Sequence, residues 1–238
     1  MEVYGGILAG GTGSRMQNED GLPKQLMEVG GVPVLIRTIR AFLMFARMDF
    51  VFVAMNMEWR DYADKLIDEY GIDRSRLALI DGGKTRFDSL INIARAVVHR
   101  NGEGACALVN HDCARPFVSQ RILSECLSAL MHHDMVTTSI PTIDTVLISK
   151  DGKRSDYVPE RATVFCDQGP QAFMVDQFLK IVDSLSPQER GRYMEAGRLY
   201  LDQKLTVGIV HGDRFNFKLT TPFDMVLAET MIKEGLIK

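Results

Sequence analysis

Short apolar runs alternate along this chain with longer stretches in which apolar residues recur every three or four positions. Residues 3–9, 50–55, 77–80, 105–110, 135–141 and 205–210 are the short runs, and their β-branched and large apolar side chains predict strands. Residues 34–45, 59–70, 87–98 and 122–132 carry the helical spacing. Strand and helix in turn predict an α/β fold: a doubly wound, mainly parallel, Rossmann-like sheet with helices on both faces. Ligands of such sheets sit at the carboxyl ends of the strands, so the loops leaving the strands become the candidate site. Residues 141–161 break the alternation. Thr145-Val146-Leu147-Ile148-Ser149 reads as a strand, Lys150-Asp151-Gly152-Lys153 as a turn and Tyr157-Val158-Pro159 as a returning segment, which predicts a projecting β-arm on a single domain covering 1–238. An arm this small needs something to pack on; a homodimer contact and a plain surface hairpin both meet that need.

Composition narrows the ligand. The chain has 238 residues, with 28 Lys and Arg against 31 Asp and Glu for a net charge of −3, so a basic site has to be local and a broad nucleic-acid surface is not expected. No run of eighteen apolar residues and no charged-then-apolar leader is present, so neither a membrane partner nor export is expected, and the expected location is cytoplasmic. Four cysteines form no C-x-x-C pair and five histidines no zinc-binding spacing, which argues against disulfides and structural zinc.

Three polar loops each follow an apolar run. The first contains Leu8, Ala9, Gly10, Gly11, Thr12, Gly13, Ser14 and Arg15, with Pro23-Lys24-Gln25 shortly after. Glycines let backbone N–H groups close on an anion while Arg15 and Lys24 supply charge, a combination suited to phosphate; a tight strand-to-helix turn is the plainer reading. A dinucleotide fingerprint fails here because its third glycine is Met16, and a P-loop ending at Gly83-Lys84-Thr85 fails because its first glycine is Ala78. The second loop holds Gly82, Gly83, Lys84, Thr85, Arg86, Phe87, Asp88 and Ser89, with Thr85 also placed to cap a helix. His111, Asp112, Cys113, Ala114, Arg115 and Pro116 form the third.

These loops, taken with Gln168-x-Pro170-Gln171-x-Phe173 and Asn216-Phe217-Lys218-Leu219-Thr220 in the same order, resemble the cytidylyltransferases of the methylerythritol-phosphate and ribitol-phosphate type, over nearly the whole chain. The Leu-Ala-Gly-Gly-Thr-Gly opening, Pro116-Phe117 and Leu185-Ser186-Pro187-Gln188-Glu189 look more like the ribitol-5-phosphate branch. The resemblance implies CTP and a polyol phosphate as substrates, Mg²⁺ as cofactor and release of pyrophosphate. D-Ribitol 5-phosphate is the expected acceptor and 2-C-methyl-D-erythritol 4-phosphate the alternative.

It further implies roles. Arg15, Lys24, Arg161 and Lys218 would be catalytic. Residues 8–13 and 82–89, with Asp112 and Cys113, would hold the nucleotide, and Asp112 would ligate the metal. Arg115, Thr142, Asp144, Arg161 and Lys218 would meet the acceptor, with Arg161 reaching a neighbouring subunit's site if the arm crosses over. His111 is expected to be structural. The chain departs from the family pattern at Gly169, where Thr is usual, at Met194-Glu195-Ala196, where Thr-Asp-Ala is usual, and in a lengthened segment from Arg15 to Lys24. Two other classes stay open: a silent nucleotide-binding protein, suggested by those departures, and a nicotinamide-dependent reductase, against which the missing third glycine counts.

Overall fold

Strand β1 (Glu2–Ala9) shows why this sequence folds around its first segment. Its side chains alternate between two apolar layers, Val3, Ile7 and Ala9 on one side and Tyr4 and Leu8 on the other, so both faces of the sheet must be covered. The computed structural model describes residues 1–11, 21–102 and 104–237. After β1 come a two-residue hairpin, β2 (Glu28–Val29) and β3 (Val32–Pro33), then α1 (Val34–Leu43), β4 (Phe50–Met55), α2 (Arg60–Glu69), β5 (Leu77–Asp81), α3 (Arg86–Asn101), β6 (Cys106–Asp112), α4 (Gln120–Ala129) and β7 (Met135–Pro141). The second half adds β8 (Phe165–Met174), α5 (Val175–Ser184), α6 (Pro187–Arg190), α7 (Ala196–Asp202), β9 (Val207–His211) and α8 (Pro222–Lys233).

The main sheet runs β5-β4-β1-β6-β8-β7-β9. Helices α1, α2 and α4 bury Ile36, Ile39, Phe42, Ile67 and Leu123 on one face, and α3, α5 and α7 bury Phe87, Leu90, Phe178 and Tyr200 on the other. The chain winds outward from β1 through β4 to β5 and then returns to place β6 on β1's other side. That reversal opens a crevice beyond the ends of β1 and β6.

Four features differ from the sequence reading. β8, not expected as a strand, inserts antiparallel between β6 and β7; its first half, Phe165-Cys166-Asp167-Gln168-Gly169-Pro170, has no alternation to betray it. β6 extends two residues beyond its apolar run, so His111 and Asp112 lie on the strand rather than in the loop. Helices α5 to α8 were not among the expected elements. The arm is also looser than a two-stranded hairpin: Thr142 N donates to Val164 O at its root, and one bridge, Ile148 with Tyr157, joins its sides. Its polar turn is held by the Asp151 and Asp156 carboxylates accepting from backbone amides instead. Among the described residues, no helix is long and apolar enough to cross a membrane.

Candidate active site

The crevice contains a cleft of about 440 Å³ and, beside it, a chamber of about 230 Å³, with Arg86, Asp112, Met194 and Lys218 in the walls of both. Leu8, Ala9, Gly10 and Gly11 leave β1 along the cleft floor. Gln25 clamps them: its buried amide donates to Ala9 O at 2.7 Å and Gly11 O at 2.9 Å. The Pro23-Lys24-Gln25 motif alone assigns Gln25 no role, and its burial beside a glycine loop reveals one. Lys24, next to it, also lines the cleft and donates to Leu219 O at 3.0 Å. Thr12, Gly13 and Arg15 lie outside the described residues.

The second loop divides between structure and cleft. Thr85 caps α3 in a reciprocal box with Asp88, so the capping role foreseen for Thr85 is present while Thr85 still borders the cleft. Asp88 is turned to that box and away from the cleft, which its sequence assignment did not anticipate. Phe87 is likewise corrected: its ring packs between Phe178 and Tyr193 in the core, because the first turn of α3 points it inward. Gly82 is held by Met55 O through its own N–H at 2.7 Å. Gly83 must be glycine, since a Cβ there would fall 2.7 Å from the Asp88 carbonyl carbon and 2.8 Å from the Ser89 nitrogen. Its N–H donates to the buried Ser89 Oγ at 3.0 Å, and Gly83, Lys84, Arg86 and Ser89 all face the cleft.

Asp112, the last residue of β6, is the electrostatic centre. Arg86 Nε donates to its Oδ1 at 3.0 Å, Lys218 Nζ to its Oδ2 at 2.7 Å, and Arg115 Nε stands 3.9 Å from Oδ2. Burial alone would raise this carboxyl, but the Arg86 and Lys218 charges outweigh it and hold Asp112 well below the usual carboxylate range. Burial pushes the neighbouring His111 imidazole down to about 4 and the Cys113 thiol up to about 12, so both are neutral. Cys113 borders the cleft but its thiol is buried and its carbonyl accepts from Thr38 Oγ1 at 2.8 Å.

Lys218 reaches this point because its loop is pinned to the β6–α4 connection. Leu219 N donates to Ala114 O at 2.8 Å, Arg115 Nη1 to Asn216 O at 2.9 Å, and Asn216 Nδ2 to Gly169 O at 2.8 Å. Arg115 therefore ties loops together at the chamber wall. Thr142, Asp144 and Arg161 stay on the exposed arm: Thr142 Oγ1 donates to Asp144 O, Arg161 Nη1 to Ile143 O, and none lines the cleft or chamber of its own chain.

The chamber contains Asn110, Asp167 and Gln171, which the sequence reading left without a role, and Glu195, known there only as a departure from the family pattern. Glu195 caps α7, accepting from Gly197 N and from Arg198 N at 2.8 Å, and also accepts from Gln171 Nε2 at 3.1 Å. Burial raises the Asp167 carboxyl, while a hydrogen bond from Thr137 Oγ1 works against that rise. No periodic signal flags this cluster, because Asn110 closes the apolar run of β6 ahead of His111 and Asp112.

A family model described as IspD, 2-C-methyl-D-erythritol 4-phosphate cytidylyltransferase, matches residues 4–234. Among solved structures, 4-diphosphocytidyl-2C-methyl-D-erythritol synthase from Anaerococcus prevotii is 24% identical with a TM-score of 0.80, over 98% of this chain and 96% of that one. The 2-C-methyl-D-erythritol 4-phosphate cytidylyltransferase from Thermus thermophilus is 24% identical with a TM-score of 0.71, over 98% and 100%. The Francisella tularensis enzyme of that name is 21% identical with a TM-score of 0.78, over 97% and 99%. At such identities the structures establish the shared Rossmann-like fold. The family match carries the methylerythritol-phosphate description, and the ribitol-phosphate preference read from the opening finds no support in it. A matched region running almost end to end, on a fold with the same architecture, makes this chain a cytidylyltransferase of the IspD family.

Proposed function

We propose that this chain transfers the cytidylyl group of CTP to 2-C-methyl-D-erythritol 4-phosphate. An acceptor phosphate oxygen attacks the α-phosphorus of CTP, the new P–O bond forms as the bond to the bridging oxygen breaks, and pyrophosphate leaves. The acceptor phosphate is already ionised, so no protein nucleophile or general base is needed. Neutralising and aligning two polyanions is the work left to the protein. The observation that carries this reading is the position of Lys218 and Arg86, salt-bridged to Asp112 where the cleft and chamber meet. From there they face phosphates arriving from either side.

In this reading the loop through Leu8, Ala9, Gly10 and Gly11 cradles the triphosphate, with Arg15 and Lys24 adding charge. The loop through Gly83, Lys84, Thr85 and Ser89 borders base and ribose. Arg115 and Lys218 hold the acceptor phosphate. The donor chemistry of the site fits Mg²⁺: Asp112 is one ionised hard-oxygen ligand at the cleft wall, and this ion keeps most of its waters and takes its other oxygens from phosphates. No group of three or more His, Cys, Asp or Glu among the described residues could hold a metal through protein ligands alone, so a single carboxylate shared with the nucleotide is the arrangement on offer. Bound there, the ion would neutralise charge on the CTP phosphates.

Thr142, Asp144 and Arg161 enter only if a homodimer brings one arm to the neighbouring cleft. Ile143, Leu147, Ile148, Tyr157 and Val158 are all exposed on that arm, which supports such a contact. A second acceptor, D-ribitol 5-phosphate, rests on the Leu8-Ala9-Gly10-Gly11-Thr12-Gly13 opening, Pro116-Phe117 and Leu185-Ser186-Pro187-Gln188-Glu189. Pyrophosphate release with CTP and Mg²⁺ tests both: turnover of the methylerythritol substrate in preference to ribitol 5-phosphate is expected, and the reverse preference moves the assignment to the ribitol branch.

A further inference from the structure

The chamber beside Asp112 is lined by two unlike sets of groups: the cations Arg86, Arg115 and Lys218, and the buried amides Asn110 and Gln171 with the exposed carboxylate of Asp167. Asn110 is 1% exposed, and neither its amide nitrogen nor its amide oxygen has a hydrogen-bond partner among the described residues. Gln171 is 2% exposed with Oε1 equally unpartnered, although its Nε2 reaches Glu195 at 3.1 Å and Asp167 at 3.5 Å. A fold gains nothing from burying an amide that bonds to nothing, and the cost persists until something else supplies the partner.

The unmet atoms specify that partner. Asn110 Nδ2 needs an acceptor, Asn110 Oδ1 and Gln171 Oε1 need donors, and Asp167 offers a carboxylate at the same wall. A hydroxyl both donates and accepts, so a short chain of hydroxyls can satisfy the whole set. An ammonium group only donates and would leave Asn110 Nδ2 unmet. Cations and unmet amides in one chamber match a molecule that carries both a phosphate and hydroxyls.

We infer that Asn110, Asp167 and Gln171 form a hydroxyl-reading subsite, which selects the acceptor by the carbon chain behind its phosphate. The inference rests on the cytidylyl-transfer reading and deepens it. These three residues are specificity determinants rather than members of the charge cluster that aligns the phosphates. Glu195, where the chain departs from the family pattern, is tied to the α7 amides and accepts from Gln171 Nε2, which fixes the Gln171 amide at the chamber wall.

The test compares wild type, Asn110→Leu and Asp167→Asn for pyrophosphate release with CTP and Mg²⁺. The acceptors are 2-C-methyl-D-erythritol 4-phosphate, D-ribitol 5-phosphate, n-pentyl phosphate and phosphoethanolamine. Wild type is expected to use a polyol phosphate at least about tenfold more efficiently than n-pentyl phosphate, on the scale of a single hydrogen bond or more. Each variant should raise KM for the polyol phosphate about tenfold, leave KM for CTP unchanged and narrow the advantage over n-pentyl phosphate. Asn110→Leu should also raise the melting temperature, because it removes an unpaired buried amide, whereas a purely structural Asn110 would lower it. Unchanged acceptor KM in both variants of an active enzyme overturns the subsite alone, and so does a wild-type preference for phosphoethanolamine. No release by wild type with any acceptor overturns the cytidylyl-transfer reading and the subsite with it.

Discussion

Lys218 Nζ donates to Asp112 Oδ2 at 2.7 Å, joining the end of strand β6 to a loop 106 residues further along the chain. Removing the lysine should therefore affect chemistry more than nucleotide binding. Lys218→Met is expected to lower kcat by about 10² to 10³, the scale of a lost preorganised donor, with a smaller change in KM for CTP. Steady-state kinetics with CTP varied at saturating acceptor decides it; equal effects on kcat and on CTP affinity would place Lys218 on the nucleotide instead.

Gln25 ties the described start of the first loop to the rest of the cleft. Gln25→Ala removes the amide that donates to the Ala9 and Gly11 carbonyls, and should destabilise the protein by about 1–3 kcal/mol while raising KM for CTP. Thermal denaturation together with CTP titration measures both.

At Gly83 the demand is for space. Gly83→Ala would drive a methyl into the backbone at Asp88 and Ser89, so the first turn of α3 has to move and the Gly83–Ser89 hydrogen bond with it. The expected result is weaker CTP binding out of proportion to lost stability. Lys84→Ala, a neighbouring change with no such clash, serves as the control for charge.

Asp167 gives a signed dependence on pH. Its carboxyl is raised in the folded protein relative to the ordinary value of 3.8, chiefly by burial. The folded state therefore holds its proton more tightly than the unfolded chain does. That contribution to stability is complete below 3.8 and is lost as pH rises through the raised folded value. Asp167→Asn removes the dependence, so the variant should be the more stable protein at pH 7 and lose its advantage below about pH 4. Chemical denaturation at the two pH values checks the sign.

If the arm crosses to a neighbour, Arg161→Ala and Lys218→Ala subunits should each be inactive alone and recover activity when mixed. The mixed dimer contains one cleft with its own lysine and the neighbour's intact arginine. Mixing without recovery would confine Arg161 to its own chain.

Much of this was legible in the letters. The apolar runs at 3–9, 50–55 and 77–80 located strands because parallel strands buried on both faces are apolar throughout. Asp112 and Lys218 stand out in their motifs, while the 2.7 Å contact between them is a product of the folded loops. β8 escaped because half of it is polar, and it is polar because that half lines the chamber. Asn110 escaped because it closes the apolar run of β6 just before His111 and Asp112, where no periodic signal sets it apart and only its unmet hydrogen bonds mark it. Phe87 and Asp88 were over-assigned because a contiguous motif cannot show that one residue turns to the core and the next to a helix cap.

The backbone at Gly169 has φ of +64°, and a Cβ there would lie 3.4 Å from His111 Nδ1. A side chain at this position would sit on a left-handed backbone and against the His111 ring, so Gly169→Thr requires reshaping the turn beneath it. Gly169 and its turn can be re-engineered only together.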